Sequence, residues 1–479
     1  MRKPNLLFIL TDQQRADSLA CYGNTHVETP HLNGLADESF VFENTYVSQP
    51  VCSPSRATLL TGTYPHTAQV PACNIRLPGS VPTIAELVDD EYRCIWLGKW
   101  HLGDEIFAQR GFEWVGTEDG YRAHYSSKER LEEFSDYHHF LIEQGLEPDR
   151  ELLGQRIFSR HFEASLPEEL TKATFLGDRT ADFIRAQGDQ PFVAFVSYLE
   201  PHPPHTGPLN DMYDPADLPV GPAFFQKPEP NASGLNRVMA AYYMESEEYG
   251  FDLRTETGWR GVRARYWGNV SLVDRSVGKI LAALEESGQA ENTIVVFTSD
   301  HGEMAGDHGI LGKCVLYEES VRVPLLIRDP RLGREQSRIP GNISHIDLLP
   351  TLLDLMGQPV PAHLQGESRV PVLKGETSLA ENDVFIEWNG RDGHPIPGEA
   401  EVNPFMAGPW RSIVSADRWK LNLSAADRCE LYDLNQDPHE TMNRFNDPDQ
   451  HDRVVEMSGS IRRWQESFAD TVALPAIDA

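Results

Sequence analysis

Positive charge is scarce in this chain. Among its 479 residues, 73 Asp and Glu outnumber 42 Lys and Arg, giving a formal net charge of -31 and an isoelectric point near 4.9. Such a surface repels phosphate, which argues against general affinity for nucleic acid or an anionic membrane. A site for an anionic substrate has to be a local island of positive charge. Cysteine is sparse as well: Cys21, Cys52, Cys73, Cys94, Cys314 and Cys429 are scattered, with no C-x-x-C pair. This spacing suggests neither a disulfide framework nor a zinc ribbon, and a reducing compartment is the simplest reading. Long hydrophobic runs are missing. The amino terminus, MRKPNLLFILTDQQ, has a basic start, but its apolar run covers only residues 6–10 before Thr11-Asp12 ends it. That is far short of a membrane span and reads as a buried strand better than as a secretory signal. The expectation is a cytoplasmic protein without membrane or nucleic-acid partners, unless an export leader has been trimmed.

What is present is ordinary globular composition, with 40% hydrophobic and 24% charged residues, in a chain long enough for a large domain plus a smaller one. Apolar runs without polar alternation at 5–10, 93–97, 192–199, 293–298 and 323–327 predict strands covered on both faces. Between them the patterns predict helices over 30–39, 55–60, 83–89, 175–186 and 262–287, the last stopped by Gly288. Pro350 should break a helix over 346–356. After a Pro/Gly-rich connection at 358–375, "DVFIEW", "RSIVSADRWKLNL" and "ELYDLNQDPHE" read as antiparallel strands, followed by a helix over 452–471. The fold class expected is α/β: a large, mostly parallel mixed sheet flanked by helices, with a smaller C-terminal α+β domain containing an antiparallel sheet. The boundary is drawn between 1–372 and 373–479. Long loops are expected at 202–230 and 389–410.

Four polar clusters each follow an apolar strand, where open α/β sheets bind ligands. Asp12-Gln13 offers hard oxygen donors suited to a divalent cation; a capped turn is the other reading. In "TSDHGE", Asp300 and His301 form a second pair of metal-ligand type, followed by Lys313 in the glycine-bearing "GDHGILGK". In "GKWHLG", Lys99 and His101 are two apart and share a side in an extended segment, or mark an amphipathic edge. In "EPHPPH", Pro201 and Pro203 restrict the backbone around His202, whereas His205 reads as a surface histidine of a polar loop.

Cys52 sits in "QPVCSPSRATLLTG", no place for a core cysteine. Cys52, Pro54, Ser55, Arg56, Thr61 and Gly62 fit the C-x-P-S-R-x-x-x-x-T-G signature, and the other clusters follow in the expected order. The chain therefore resembles the type I, formylglycine-dependent sulfatases of the alkaline-phosphatase superfamily over most of its length. The resemblance implies that a separate maturation enzyme oxidises Cys52 to formylglycine, whose hydrated diol is the nucleophile. It implies that Arg56 holds the nucleophile's hydroxyl. One divalent ion is held by Asp12, Gln13, Asp300, His301 and modified Cys52. Lys99 and Lys313 contact the sulfate. His101 takes a proton from the second hydroxyl and His202 protonates the leaving alcohol, with Asn74 a further substrate contact. Calcium is the metal expected from the family; Gln13 in place of a second aspartate, and the nitrogen donor His301, leave manganese or magnesium open. The Asp-Gln pair also occurs in phosphonate monoester hydrolases, but those tend to lack the Lys-x-His pair of Lys99 and His101. The reading is a sulfatase acting on a sulfated small molecule or glycan, with sulfated carbohydrate preferred. A phosphonate monoesterase or phosphodiesterase, and a non-catalytic sulfated-glycan binding protein, are the alternatives.

Overall fold

The computed structural model describes residues 2–127, 129–390 and 405–477. Among these residues nine strands form one mixed sheet: β1 (Asn5–Asp12), β2 (Phe40–Tyr46), β3 (Arg93–Gly98), β4 (Glu113–Val115), β5 (Phe192–Pro201), β6 (Thr293–Ser299), β7 (Arg322–Val323), β8 (Leu325–Arg328) and β9 (Ser337–Ser344). Their order is β7-β2-β8-β6-β1-β5-β3-β4, with β9 added beside β2. The central run β6-β1-β5-β3 is parallel, and β8 turns antiparallel against β6 and β2. The apolar strands thus give the expected α/β architecture.

β1 shows why its sequence is a continuous apolar run. Leu6, Phe8 and Leu10 point into one core, shared with Ala57, Leu59 and Leu60 of helix α1 (Cys52–Thr61). Leu7 and Ile9 point into the other, beneath helices α2 (Lys172–Ala186) and α3 (Glu256–Glu286). A strand covered on both faces has no solvent side on which to place polar residues. Each fully buried Leu, Ile or Phe contributes about 1.5–3 kcal/mol of transfer free energy, which anchors the strand and fixes where its C-terminal end lies.

A second, four-stranded antiparallel sheet follows: β10 (Val384–Trp388), β11 (Trp410–Val414), β12 (Trp419–Leu423) and β13 (Glu430–Asp433). The helix His451–Phe468 packs on it through Val454, Met457 and Ile461.

Several local expectations differ. Pro350 does not break its helix, which runs Leu348–Leu355. It sits in the first turn, where backbone N–H groups have no intrahelical acceptor to lose. The helix expected at 83–89 is only Ile84–Leu87, closed by a Thr83/Glu86 capping box. The single strand expected at 323–327 is two, interrupted at Pro324, which lacks a ladder donor. Segment 202–230 holds only the short 3₁₀ turn Pro215–Asp217. Within 389–410, residues 391–404 lie outside the described residues.

Candidate active site

Because β1, β3, β5 and β6 run parallel, their C-terminal ends share one edge of the sheet. Asp12 ends β1, Lys99 follows β3, His202 follows β5, and Asp300 and His301 follow β6. Helix α1 enters this edge with Cys52 as its first residue and Arg56 one turn later, on the same face. All ten residues of α1 are buried. The other fixed residues of the motif serve the helix. Thr61 Oγ1 donates to the Ala57 carbonyl at 2.7 Å. Gly62 closes the helix at φ +61, a left-handed cap that glycine adopts without strain.

Arg56 is the hub. Its Nε donates to Asp300 Oδ2 at 2.8 Å and its Nη2 to Asp12 Oδ2 at 3.0 Å, while Nη1 donates to the Lys99 carbonyl and to Ser197 Oγ, each at 2.8 Å. One planar fork therefore ties together four strand ends. None of these bonds goes to Cys52. Burial opposes the guanidinium charge, but Asp300 and Asp12 raise its pKa above the usual arginine range. Lys99 also donates to Asp12 Oδ2. Burial and Cys52 work against ionisation of Asp12, yet Lys99, His202 and Lys313 hold it well below the usual carboxylate range.

Cys52 is 1% exposed. Its Sγ lies 3.2 Å from His301 Nε2 and 3.9 Å from Asp12 Oδ1. Burial disfavours a thiolate, but Cys73, Lys313, Lys99 and His301 together depress its pKa well below the ordinary thiol value. This is the local positive island that the acidic composition demanded. Lys313 Nζ donates to Gln13 Oε1 at 2.5 Å, and Gln13 Nε2 in turn donates to Glu303. Gln13, Asn74 and His101 all hold positive φ, at +72, +63 and +60. Non-glycine residues in that region carry local strain that clusters at functional sites.

The two remaining histidines are set by their partners. His101 Nε2–H donates to Asn74 Oδ1 at 2.9 Å, and His101 Nδ1 has no partner. His202 Nδ1–H donates to the Pro203 carbonyl at 2.8 Å, which leaves Nε2 as its free acid–base atom. Burial first, and the nearby lysines next, push both imidazoles down to about 3, so both are neutral. Each also feels the Cys52 side chain.

The donor set fits a divalent cation. Ligand atoms of Asp12, Cys52, Asp300 and His301 lie within 4.8 Å of one another, all buried. His301 Nδ1–H donates to the Gly302 carbonyl at 2.9 Å. The Nε2 lone pair therefore faces Asp300 Oδ1 at 3.5 Å and Asp12 Oδ1 at 3.7 Å. Burial opposes charge on His301, but Asp300 raises its pKa, so a proton on Nε2 or a bound cation can satisfy these carboxylate oxygens; the carboxylate–imidazole combination suits first-row and hard divalent ions.

The structure thus gathers Asp12, Gln13, Cys52, Arg56, Asn74, Lys99, His101, His202, Asp300, His301 and Lys313 around one hollow. His205 is different from its expectation: it is fully buried, edge-on to Tyr249 and Tyr266, with Nε2 3.7 Å from Glu303 Oε2. Tertiary packing folds the proline-rich loop inward there. Other residues carry no local sequence signal. Glu105 accepts the Trp100 and His101 backbone N–H groups at 3.0 and 2.7 Å and so holds the turn carrying Lys99 and His101. Ser53 Oγ donates to the His101 carbonyl at 2.7 Å. Cys73, beside Asn74, packs against Cys52. Tyr121 packs against His101 with ring centroids 4.1 Å apart and the rings tilted by 34°. Asn74 and His202 also line a cavity of about 610 Å³, together with Tyr121 and Arg160 among others.

A cysteine opening a buried helix among basic side chains, at the carboxyl edge of a mixed α/β sheet, accompanies membership of the alkaline-phosphatase superfamily of hydrolases. Within it the chain belongs to the sulfatase family: the sulfatase family model matches residues 4–358, and the model for the C-terminal part of N-sulphoglucosamine sulphohydrolase matches residues 306–467. It is 30% identical to the uncharacterized sulfatase YidJ of Escherichia coli (strain K12), over 96% of this chain and 88% of that one. It is 29% identical to an ulvan-active sulfatase of Formosa agariphila, over 98% and 82% respectively. Among solved structures, the phosphonate monoester hydrolase SpPMH from Silicibacter pomeroyi superposes with a TM-score of 0.78 at 26% identity, covering 98% of this chain and 96% of that one.

Proposed function

We propose that this sulfatase-family hydrolase cleaves a sulfate monoester carried on a carbohydrate, with Cys52 acting as formylglycine and one divalent cation held by Asp12, Gln13, Asp300, His301 and residue 52. The observation that carries this reading is the seating of Cys52 in a buried cluster of Lys99, Lys313, Arg56 and His301, within a chain of net charge -31. Concentrated positive charge at one nucleophile suits a small tetrahedral anion.

As formylglycine, residue 52 supplies a geminal diol, with one hydroxyl to attack sulfur and a second whose ionisation re-forms the aldehyde and releases sulfate. A divalent cation held by these residues would supply positive charge that acidifies the attacking hydroxyl and offsets the sulfate oxygens. The rest is done by side chains. Lys99 and Lys313 hold sulfate oxygens and take up the charge that grows on them. Arg56 fixes the positions of Asp12 and Asp300 instead of touching the substrate. His202, its tautomer set by Pro203, uses Nε2 to protonate the leaving alcohol oxygen; arrival of the anionic ester favours its protonated form. His101, its Nε2–H committed to Asn74, has Nδ1 free to accept a proton from the second hydroxyl. Asn74 acts by fixing this tautomer.

A second reading is phosphonate monoester hydrolysis, favoured by Gln13 and by the structural likeness to the Silicibacter enzyme. The Lys99/His101 pair favours sulfate. Turnover of 4-nitrophenyl sulfate against 4-nitrophenyl phenylphosphonate by the matured protein tests this. The expected result is the higher kcat/KM on the sulfate; a large preference for the phosphonate overturns the assignment.

A further inference from the structure

In the cavity that Asn74 and His202 line, Arg160 lacks the close carboxylate pairing that occupies Lys172. Lys172 Nζ is taken by Glu118 at 2.6 Å and Glu163 at 2.9 Å. Lys99 is taken by Asp12, and Lys313 by Gln13. Arg160, the first residue of the short helix Arg160–Ala164, hydrogen-bonds to Tyr121 but has no carboxylate within hydrogen-bond distance. Its nearest carboxylate oxygen is Glu118 Oε2 at 3.7 Å, which already accepts the shorter Lys172 pair through its other oxygen. Its guanidinium lies 4.4 Å from the Tyr121 ring centroid, and the side chain is 31% exposed to the cavity. A planar fork of five donors, stacked on an aromatic ring and open to a cavity, is preorganised for a carboxylate or sulfate.

Its position relative to the chemistry is set by the same ring. Tyr121 packs against His101 and lies 4.9 Å from Lys99 Nζ. The sulfate-binding lysine and Arg160 thus flank one tyrosine, separated by no more than those two ring distances laid end to end. That is the span of about one sugar ring. His202 and Asn74 line the same cavity, so a substrate seated at the nucleophile extends toward Arg160. The alternative is that Arg160 only braces Tyr121 and Glu118. Glu118 does not need it, since Lys172 is closer, and the hydrogen bond to Tyr121 still leaves most of the five guanidinium donors unspent.

From this we infer that Arg160 is a specificity-determining residue: it binds a second anionic group, carboxylate or sulfate, one sugar ring away from the sulfate that is cleaved. The preferred substrate is then a polyanionic saccharide and not a singly sulfated neutral sugar. This deepens the sulfatase reading and rests on it.

The test uses two measurements. In the matured protein, kcat/KM is compared for glucosamine 2-N,6-O-disulfate, a 6-O-sulfated disaccharide bearing a uronate, and 4-nitrophenyl sulfate as the single-anion reference. For Arg160→Ala, the preference for at least one two-anion substrate over the reference should fall about 10- to 100-fold through KM, the loss expected for a charge-assisted pair. Arg160→Lys should recover part of it, and the substrate with the larger fall identifies the second anion as sulfate or carboxylate. In the Cys52→Ala protein, which cannot turn over, calorimetric binding of the same two saccharides should weaken by a similar factor when Arg160→Ala is added. An unchanged preference together with unchanged binding, or an equal loss on all three substrates with a lowered melting temperature, overturns the inference. If wild type cleaves no sulfate ester while binding remains Arg160-dependent, the sulfatase reading fails and the anion subsite stands.

Discussion

At the scale of single residues, the account turns on Arg56. Its fork joins Asp12, Asp300, Ser197 and the Lys99 backbone, all in a fully buried setting. Removing one partner of a buried ion pair leaves carboxylates uncompensated, at a cost of about 3–5 kcal/mol. Arg56→Met should lower the unfolding free energy by that amount in urea denaturation, and a loss under about 1 kcal/mol would contradict the hub role. The motif residues were legible because they stand at fixed spacing: Cys52 and Arg56 one helical turn apart, Lys99 and His101 two apart, and the structure brings them to one place. Their partners were not. Glu105, Tyr121 and Arg160 act through distances in space that leave no local pattern, and His205 looked like a loop histidine because nothing in "EPHPPH" announces Tyr249 and Tyr266.

The elements explain why strand ends were readable and their junctions less so. A strand buried on both faces must be apolar throughout, so β1, β3, β5 and β6 stand out in the sequence. β2 and β9 did not: β2 reads FVFENTY, with three half-buried positions among its seven residues, and β9 reads SRIPGNIS with a proline. The junction after β3 depends on Gly98. It holds φ +98, and a Cβ there would lie 2.0 Å from the Ser197 carbonyl oxygen. The neighbouring Lys99 N–H donates to that same carbonyl at 3.0 Å. Gly98→Ala has neither the conformation nor the space, so it should cost more than about 2 kcal/mol and displace Lys99. The expected outcome is a lowered melting temperature together with a raised KM for sulfate ester. A variant with wild-type stability and KM would show that the close approach of β3 and β5 does not set the lysine.

The whole molecule buries two sets of titrating groups with opposite signs. Burial holds His101, His202 and His345 down at about 3 and His308 at about 4. Unfolded histidines bind protons near 6.5, so this stabilisation is complete above that pH and is lost as pH falls toward 3. Burial also pushes Glu105, Glu163 and Glu440 up to about 8, and Glu200 and Glu319 up to about 7. Their unfolded values lie near 4.3, so their contribution declines as pH rises above about 4.3 and is gone once pH passes 7 to 8. Linkage of both sets predicts greatest stability between about pH 4 and 6. A series of urea unfolding curves should show the free energy declining on both sides of that window; a steady rise from pH 5 to 9 would contradict it.

The central claim is that an oxidised Cys52, not its thiol, performs the chemistry inside this positive hollow. The most direct measurement follows the Cys52-containing peptide by mass spectrometry across preparations made with graded amounts of the maturation enzyme, alongside turnover of 4-nitrophenyl sulfate by each. The account predicts kcat rising in proportion to the aldehyde fraction and vanishing where only thiol is found. Full turnover by a preparation carrying only thiol at residue 52 would contradict it.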